Sequence, residues 1–437
     1  FHMLHALFQT SLKYDRIVRY DEYFATKLLV ENGRAVGVAA FDMRTGKMHA
    51  MLGRSVILCT GGAGRIFPFT TNAAVKTGDG MALAYRAGVG LKDMEFVQYH
   101  PTGLPGTGIL ITEASRGEGG YLKNNKGERF LIQYDYGVGG KAELGPRDMV
   151  SRAEMREFQA GRGFKGPYGD YVHLELMHLG EEKIDKRIPF VRELAKNYVG
   201  IDPVFEPIPV RPVVHYMMGG VDTNVDGATI LPGLFAAGEC ASVSINGANR
   251  LGSNSLTECL VFGARSGRAA VQFSNGSSTG DEKNALEQAR SEEARLERLR
   301  GKHGGEKIAQ IRRELNLATE SGCGVFREEE SIRAALDTIV QLKGRYADIG
   351  LTDRSQIFNT EVVQAIELGN MLDVAEAVAL SALHRRESRG AHTRTDYPTR
   401  NDAEFWKHSL VTFAADGPRL SYKPVTKTRW ELEERKY

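Results

Sequence analysis

Four stretches of the chain set reactive side chains among glycine and proline. "QYHPTG" (98–103) places His100 beside a proline, and "LITEASRGEGG" (110–120) crowds Thr112, Glu113, Arg116 and Glu118 into glycine-rich chain. "LGPRDMVSRA" (144–153) carries Arg147, and "VVHYMMGG" (213–220) carries His215. A fifth, "GANRLGSNSL" (247–256), has no acid, histidine or cysteine and one charge, Arg250. Small residues let backbone approach a ligand closely, and a lone guanidinium among them suits an anion. A small dicarboxylate needs such a set: a bidentate guanidinium for one carboxylate and neutral donors for the other. The residue types alone leave a plainer alternative open, in which both histidines are satisfied structural groups.

These side chains need a scaffold, and the flanking sequence suggests one. "RSVILCTGGAGRIF" (54–67) reads as a buried strand over 55–60 that ends in a glycine turn at Thr60, Gly61 and Gly62. "ATILPGLFAAGECAS" (228–242) repeats the pattern, ending at Gly238 and Glu239. Two strands ending in small residues suit an α/β domain that grips a dinucleotide at its carboxyl edge. An ordinary βα turn explains "CTGGAG" equally well. Asp79, in "TGDGMALAYRAG", is either a helix N-cap or a ligand contact. Glu239 either accepts hydrogen bonds from sugar hydroxyls or caps the surface.

Around these strands, "TKLLVENGRAVGVAAFDMRTGKMHAML" (26–52) has hairpin turns at Asn32-Gly33 and Thr45-Gly46. "FHMLHALFQTSL" (1–12) reads as a helix. Residues 94–213, rich in Gly, Pro, His and charge, read as an inserted lobe. Beyond 276 the pattern turns helical: "DEKNALEQARSEEARLERLR" is expected to be a solvated helix, and two longer amphipathic segments suggest a bundle. The polar tail after 397, with Trp406 and Trp430, is expected on the outside.

Composition narrows the function classes. The 437 residues exceed one ordinary core. With 57 basic and 55 acidic residues, the charge balance gives no reason to expect nucleic acid as a partner. Cys59, Cys240, Cys259 and Cys323 are scattered, with no CxxC pair. That argues against a disulfide framework, a zinc site or an iron–sulfur cluster in this chain, and no metal ligand set is expected. No apolar run reaches the length of a membrane span.

Read together, "FHMLHALFQTSL", "VQYHPTGLPGTGILITEASRGEGG", "ELGPRD", "EPIPVRPVVHYMMGG", "GLFAAGE", "GANRLGSNSL" and "RRESRGAHTRTDYPTRND" occur in the order found in flavoprotein subunits of fumarate reductase and succinate dehydrogenase. The resemblance covers essentially the whole chain and leans toward the fumarate reductase branch; L-aspartate oxidase is the nearest enzymatic rival. It implies an α/β fold: an FAD-binding Rossmann-like domain (1–93 and 214–275) interrupted by an α+β capping domain (94–213). An α-helical domain (276–396) and a polar C-terminal segment (397–437) follow. It also implies FAD as cofactor and fumarate and succinate as substrates, with hydride passing from flavin N5. Thr60, Gly61, Gly62, Asp79, Glu239, Ser255 and Leu256 resemble FAD contacts. His100, Thr112, His215 and Arg250 resemble substrate contacts. Arg147 resembles the proton donor, and Glu113 and Arg116 its relay to water; by pKa alone a histidine would be the choice. The implied partners are an iron–sulfur subunit and membrane anchor subunits, at the cytoplasmic face of a bacterial inner membrane, where the chain would be peripheral.

Some features depart from the family pattern. The first Rossmann strand, its GxGxxG turn and the histidine that many relatives link covalently to FAD have no counterpart here, so any covalent link would run through a histidine absent from this chain. Ser115 stands where relatives often have cysteine, and Asn246 where they commonly have histidine. The loop before Arg147 looks short. A non-catalytic piece that keeps the fold without FAD, and a succinate dehydrogenase subunit, are the competing readings.

Overall fold

The structure, a computed structural model, describes residues 2–134, 142–302, 304–429 and 431–433. The short loop before Arg147 falls largely at 135–141, and that expectation and the one for Trp430 lie outside the described residues. His2–Ser11 is helical, as its spacing predicts, but buries none of its residues.

Runs rich in apolar residues form a three-stranded meander from Tyr23–Glu31, Arg34–Asp42 and Lys47–Leu52. Its first turn pairs Glu31 with Arg34 across Asn32 (φ 49°) and Gly33 (φ 69°), the left-handed pair that a tight two-residue hairpin requires. The strand expected at 55–60 is shorter, Val56–Leu58. It pairs in parallel with Leu234–Ala236, Val56 opposite Leu234. The Ala237 amide donates to the Leu58 carbonyl at 3.0 Å, so both small-residue turns emerge at one edge. There Gly62 is required by space: a Cβ would lie 2.5 Å from Glu239 Oε1.

The lobe is an antiparallel sheet in the order Val97–Gly103, Ile208–Met217, Val172–Glu175, Tyr121–Lys123. It has its own core, including Leu104, Phe130, Val150, Leu174 and Ile208. Arg147–Gln159 packs on this sheet as a helix. Pro146 precedes it, Asp148 lies in its first turn and Arg156 in its last, complementing the helix dipole.

Ile308–Cys323, Glu329–Tyr346 and Thr360–His384 pack as a helical layer. The last is alanine-rich and buried nearly all round, the pattern of a central helix. Glu282–Gly301, expected to be solvated, instead lays Ala285 and Ala289 on the meander against Leu29, Val36 and Ala39. Alanine spacing hid an apolar face because it is narrow. The polar segment after 397 also contributes to a sheet. Its hairpin, Lys407–Thr412 and Arg419–Pro424, joins Leu91–Lys92, with Val411 fully buried. Among the described residues, no helix is long and apolar enough to cross a membrane.

Candidate active site

The strand Val97–Gly103 brings the pieces together. Side chains two apart on a strand share a face, so Gln98 and His100 point the same way. Arg147 Nη1 donates to Gln98 Oε1 at 3.1 Å, and Arg250 Nη2 donates to the same oxygen at 3.1 Å. The amide is held from behind: Gln98 Nε2 donates to Asn249 Oδ1 and to the Arg250 carbonyl, both at 2.7 Å. Asn249 Nδ2 in turn donates to Asp148 Oδ1 at 2.7 Å.

Two guanidiniums therefore share one neutral acceptor. Sharing holds them within about 6 Å of each other, where like charges repel by about 3 kcal/mol at an effective dielectric of 20. Arg147 has one carboxylate partner among the described residues, Glu113, whose Oε2 accepts from Nε at 3.0 Å. Arg250 has none. Its Nη1 donates to the Leu251 carbonyl, its Nε has no partner, and its guanidinium lies 4.4 Å from the centre of the Tyr216 ring. Burial, then Arg147, lowers its pKa to about 10. Such a pair is deficient in negative charge by construction.

Both histidines are held neutral beside this pair. Their rings meet edge to face at 5.3 Å. The Thr102 amide, which can only donate, points at His100 Nδ1 at 3.2 Å. That fixes the imidazole proton on Nε2, which is buried and has no partner. Burial, then the charges of Arg147, His215 and the other arginines, hold His100 well below its ordinary pKa. His215, anchored through Nδ1 to Thr71 Oγ1 at 2.8 Å, is pushed down to about 3 by burial, then by Arg147, Arg250 and Lys76. Thr112 is exposed and its Oγ1 accepts the Ala114 amide at 3.4 Å.

Arg250 is delivered by a strained turn. Ser244 and Ser253 have φ of 74° and 65°, conformations that cost non-glycine residues about 1–3 kcal/mol and collect at functional sites. The turn is pinned from outside by the "RGAH" segment, where the Ala391 amide donates to the Ala248 carbonyl at 2.9 Å. Gly390 is obligatory there, since a Cβ would lie 2.5 Å from that carbonyl oxygen. Gly252 leaves room on the other side, where a Cβ would sit 3.5 Å from Arg147 Nη2 and Glu113 Oε2.

Next to the arginine pair opens a cavity of about 480 Å³, whose lining includes Gly61, His215, Glu239, Ser255 and Leu256. Lys76, also in its wall, pairs with Glu239, whose other oxygen accepts the Met217 amide at 3.1 Å. The cradle suits FAD: a glycine turn without Cβ bulk, an acid for hydroxyls and a lysine for negative charge. Four of the seven expected cofactor residues line it. Gly62 packs behind Glu239, and Thr60 accepts the Gly80 amide through Oγ1 at 3.1 Å. Asp79 does not line the cavity: it opens the helix Asp79–Arg86 and accepts Asn370 at 2.7 Å and Thr77 at 3.0 Å, next to the Gly80 that Thr60 holds. Asn246 donates to Glu258 at 2.8 Å rather than entering the site.

Gln98, Asn249, Tyr216 and Lys76 were missed from the sequence. Gln98 stood in a quoted motif two residues from His100, and strand periodicity could have found it.

Comparison with known proteins gives the family of the chain. Residues 1–256 match the FAD binding domain family and residues 312–437 the fumarate reductase flavoprotein C-terminal family. A fumarate reductase flavoprotein subunit of Mycobacterium tuberculosis (strain H37Rv) is 55% identical over 449 residues, covering 100% of this chain and 77% of the relative. A succinate dehydrogenase flavoprotein subunit of Rickettsia bellii is 43% identical over 439 residues, covering 98% and 72%. A point-mutant E. coli quinol fumarate reductase superposes with a TM-score of 0.95 at 47% identity, covering 98% of this chain and 75% of that one. The chain thus belongs to the fumarate reductase and succinate dehydrogenase flavoprotein family, whose members are FAD-dependent oxidoreductases.

Proposed function

We propose that the chain reduces fumarate to succinate as the flavoprotein subunit of a quinol-oxidising complex. The observation that carries this reading is the pair Arg147 and Arg250 converging on one neutral oxygen beside the FAD cavity. A dianion relieves their repulsion, and the neutral donors around them fit its second carboxylate. Arg250, His100, His215 and Thr112 bind and orient the substrate. As negative charge builds on the carboxylate next to the reacting carbon, Arg250 and the two histidines stabilise it without reorganising. Held in the adjoining cavity by Gly61, Glu239, Ser255 and Leu256, FAD in its reduced form would supply the hydride. Arg147 delivers a proton to the other alkene carbon, a far more basic centre than any ordinary proton acceptor, and Glu113 with Arg116 restores the charge on Arg147.

The reading divides the chain at 93/94, 213/214, 275/276 and 396/397, with the 94–213 lobe closing over the substrate to exclude water. Thr60, Gly62 and Asp79 support the FAD cradle from behind, and Gly61, Glu239, Ser255 and Leu256 face it. Electrons reach the site from an iron–sulfur subunit, and membrane anchor subunits hold the assembly at the cytoplasmic face of a bacterial inner membrane. Similarity to quinol fumarate reductase supports membership of such a complex. The deciding experiment compares fumarate-dependent oxidation of a reduced dye with succinate-dependent reduction of an oxidised one, using flavin-loaded protein. Faster fumarate reduction is expected. A dominant succinate oxidation favours the dehydrogenase, and turnover of neither substrate ends the reading.

A further inference from the structure

Asp148 follows the proposed proton donor in sequence and stands apart from the reaction itself. An acid in the first turn of a helix ordinarily serves the helix dipole. This one also reaches sideways. Asp148 is buried and accepts Asn249 Nδ2 through Oδ1 at 2.7 Å. Asn249 Oδ1 accepts Gln98 Nε2 at 2.7 Å, and Gln98 Oε1 accepts both Arg147 and Arg250 at 3.1 Å. The second oxygen of Asp148 accepts Arg152 Nη2 at 3.2 Å. Arg152 Nη1 donates to Thr393 Oγ1 at 2.9 Å and to the Gly390 carbonyl at 3.2 Å, in the segment that pins the Arg250 turn.

The bonds of this path run in one direction. A carboxylate accepts and never donates, a guanidinium donates and never accepts, and an amide does both. With an acid at one end and two arginines at the other, Asn249 must turn its NH2 to Asp148 and its oxygen to Gln98. Gln98 then turns its oxygen to the arginines, and the Arg250 carbonyl takes its remaining amide hydrogen. With an amide in place of the acid, the direction at Asn249 is no longer fixed. The path is also closed on itself, because Asp148 is joined to Arg147 by a peptide bond. Helix start, strand and turn thus form one ring: the Arg147 side chain, Gln98, Asn249, Asp148 and back along the backbone. Such a ring closes only when the three elements hold one relative position. Hydrogen bonds in series between opposite charges also strengthen one another.

We propose that Asp148 is a positioning residue that acts through Asn249 and Gln98 to aim Arg147 and Arg250 at the substrate. The inference rests on the reading of Arg147 as proton donor and of Arg250 as the dicarboxylate contact. A misaligned guanidinium costs the chemical step more than it costs binding. A dianion is attracted to the pair over a range of geometries, whereas proton transfer to carbon demands one.

The test uses flavin-loaded protein, with flavin absorbance and thermal midpoint as fold controls. Fumarate affinity is titrated against oxidised flavin, which cannot turn it over, and kcat is measured with a reduced dye. Asp148→Asn should weaken fumarate binding about fivefold, the worth of one hydrogen bond, and lower kcat about tenfold. Asn249→Ala should do the same, since it cuts the path in its middle. In the Asn249→Ala background, Asp148→Asn should then add less than about twofold. Arg152→Met, which leaves the path intact, should change affinity and rate by less than about twofold. Wild-type affinity and rate in Asp148→Asn or in Asn249→Ala overturns the proposal. So does an undiminished effect of Asp148→Asn in the Asn249→Ala background, or the full loss in Arg152→Met, because either assigns Asp148 to its salt bridge alone. If Asp148→Asn fails the fold controls, Asn249→Ala decides. A fully active Arg147→Lys ends the reading of that residue as donor, while the coupling between Asp148 and Asn249 is still read in fumarate affinity, so the two failures are separable.

Discussion

Two sets of arginines in this molecule behave oppositely. Arg385, behind the site in the "RRESRGAHTRTD" segment, is saturated. It pairs with Glu95 and Glu387 and donates to the carbonyls of Phe405 at 2.9 Å and Lys407 at 2.8 Å. The acids are satisfied in turn: Ser409 donates to Glu95 at 2.6 Å, and Arg389 to Glu387 at 2.7 and 3.0 Å. Arg147 and Arg250 have one carboxylate between them. A saturated arginine holds elements together, whereas a starved one waits for a ligand. Residue type cannot distinguish the two; the partner count does.

The contrast can be attacked most strongly through Arg147. Arg147→Lys should cut kcat by about 10²- to 10⁴-fold in steady-state fumarate reduction, while flavin absorbance and thermal midpoint stay near wild type. A near wild-type rate would remove Arg147 from the chemistry. Arg385→Met should do the reverse, costing about 3–5 kcal/mol of stability because Glu95 and Glu387 lose a buried counter-charge. Denaturant titration measures it, and a neutral result would erase the distinction. Arg250→Ala should weaken fumarate binding by about ten- to a hundredfold, the worth of a charge-assisted pair, without lowering the midpoint of the ligand-free protein. Equal loss of stability would make Arg250 structural.

The mildest effect, taken per pH unit, is that of pH on stability. His215 is held near 3 against an ordinary 6.5, so between those values the unfolded chain binds more protons than the folded one. Stability should therefore fall as pH drops through that window, by about 1.4 kcal/mol per pH unit for this one group. Thermal melts of His215→Asn should show a correspondingly shallower slope. Unchanged melts would mean that the histidine is not held neutral.

Much of this site was legible because its residues carry chemistry in their types. His100, His215, Arg147 and Arg250 stand among glycines, and the long motifs fixed their order. Gln98 was not legible, since a neutral amide becomes informative only when two guanidiniums are seen to share it. Asp148 sat unnoticed at an ordinary helix start, because its partner Asn249 comes from a distant turn. Arg385 lay in a recognised motif whose role could not be read, since besides Glu387 in the motif its partners come from Glu95 and from the stretch 405–407. Alanine spacing in Glu282–Gly301 looked solvated until the meander beneath it was in view.

The parallel pairing of Val56–Leu58 with Leu234–Ala236 also constrains how the molecule is made. The two strands are separated by the entire lobe, so their contact closes a very long loop and must form late. During synthesis the lobe, with its own core, can condense before the second strand leaves the ribosome. The cofactor cradle at the ends of those strands is thus assembled around an already folded cap. Newly made chains would pass through a stage in which the strand Val97–Gly103 exists and the flavin site does not.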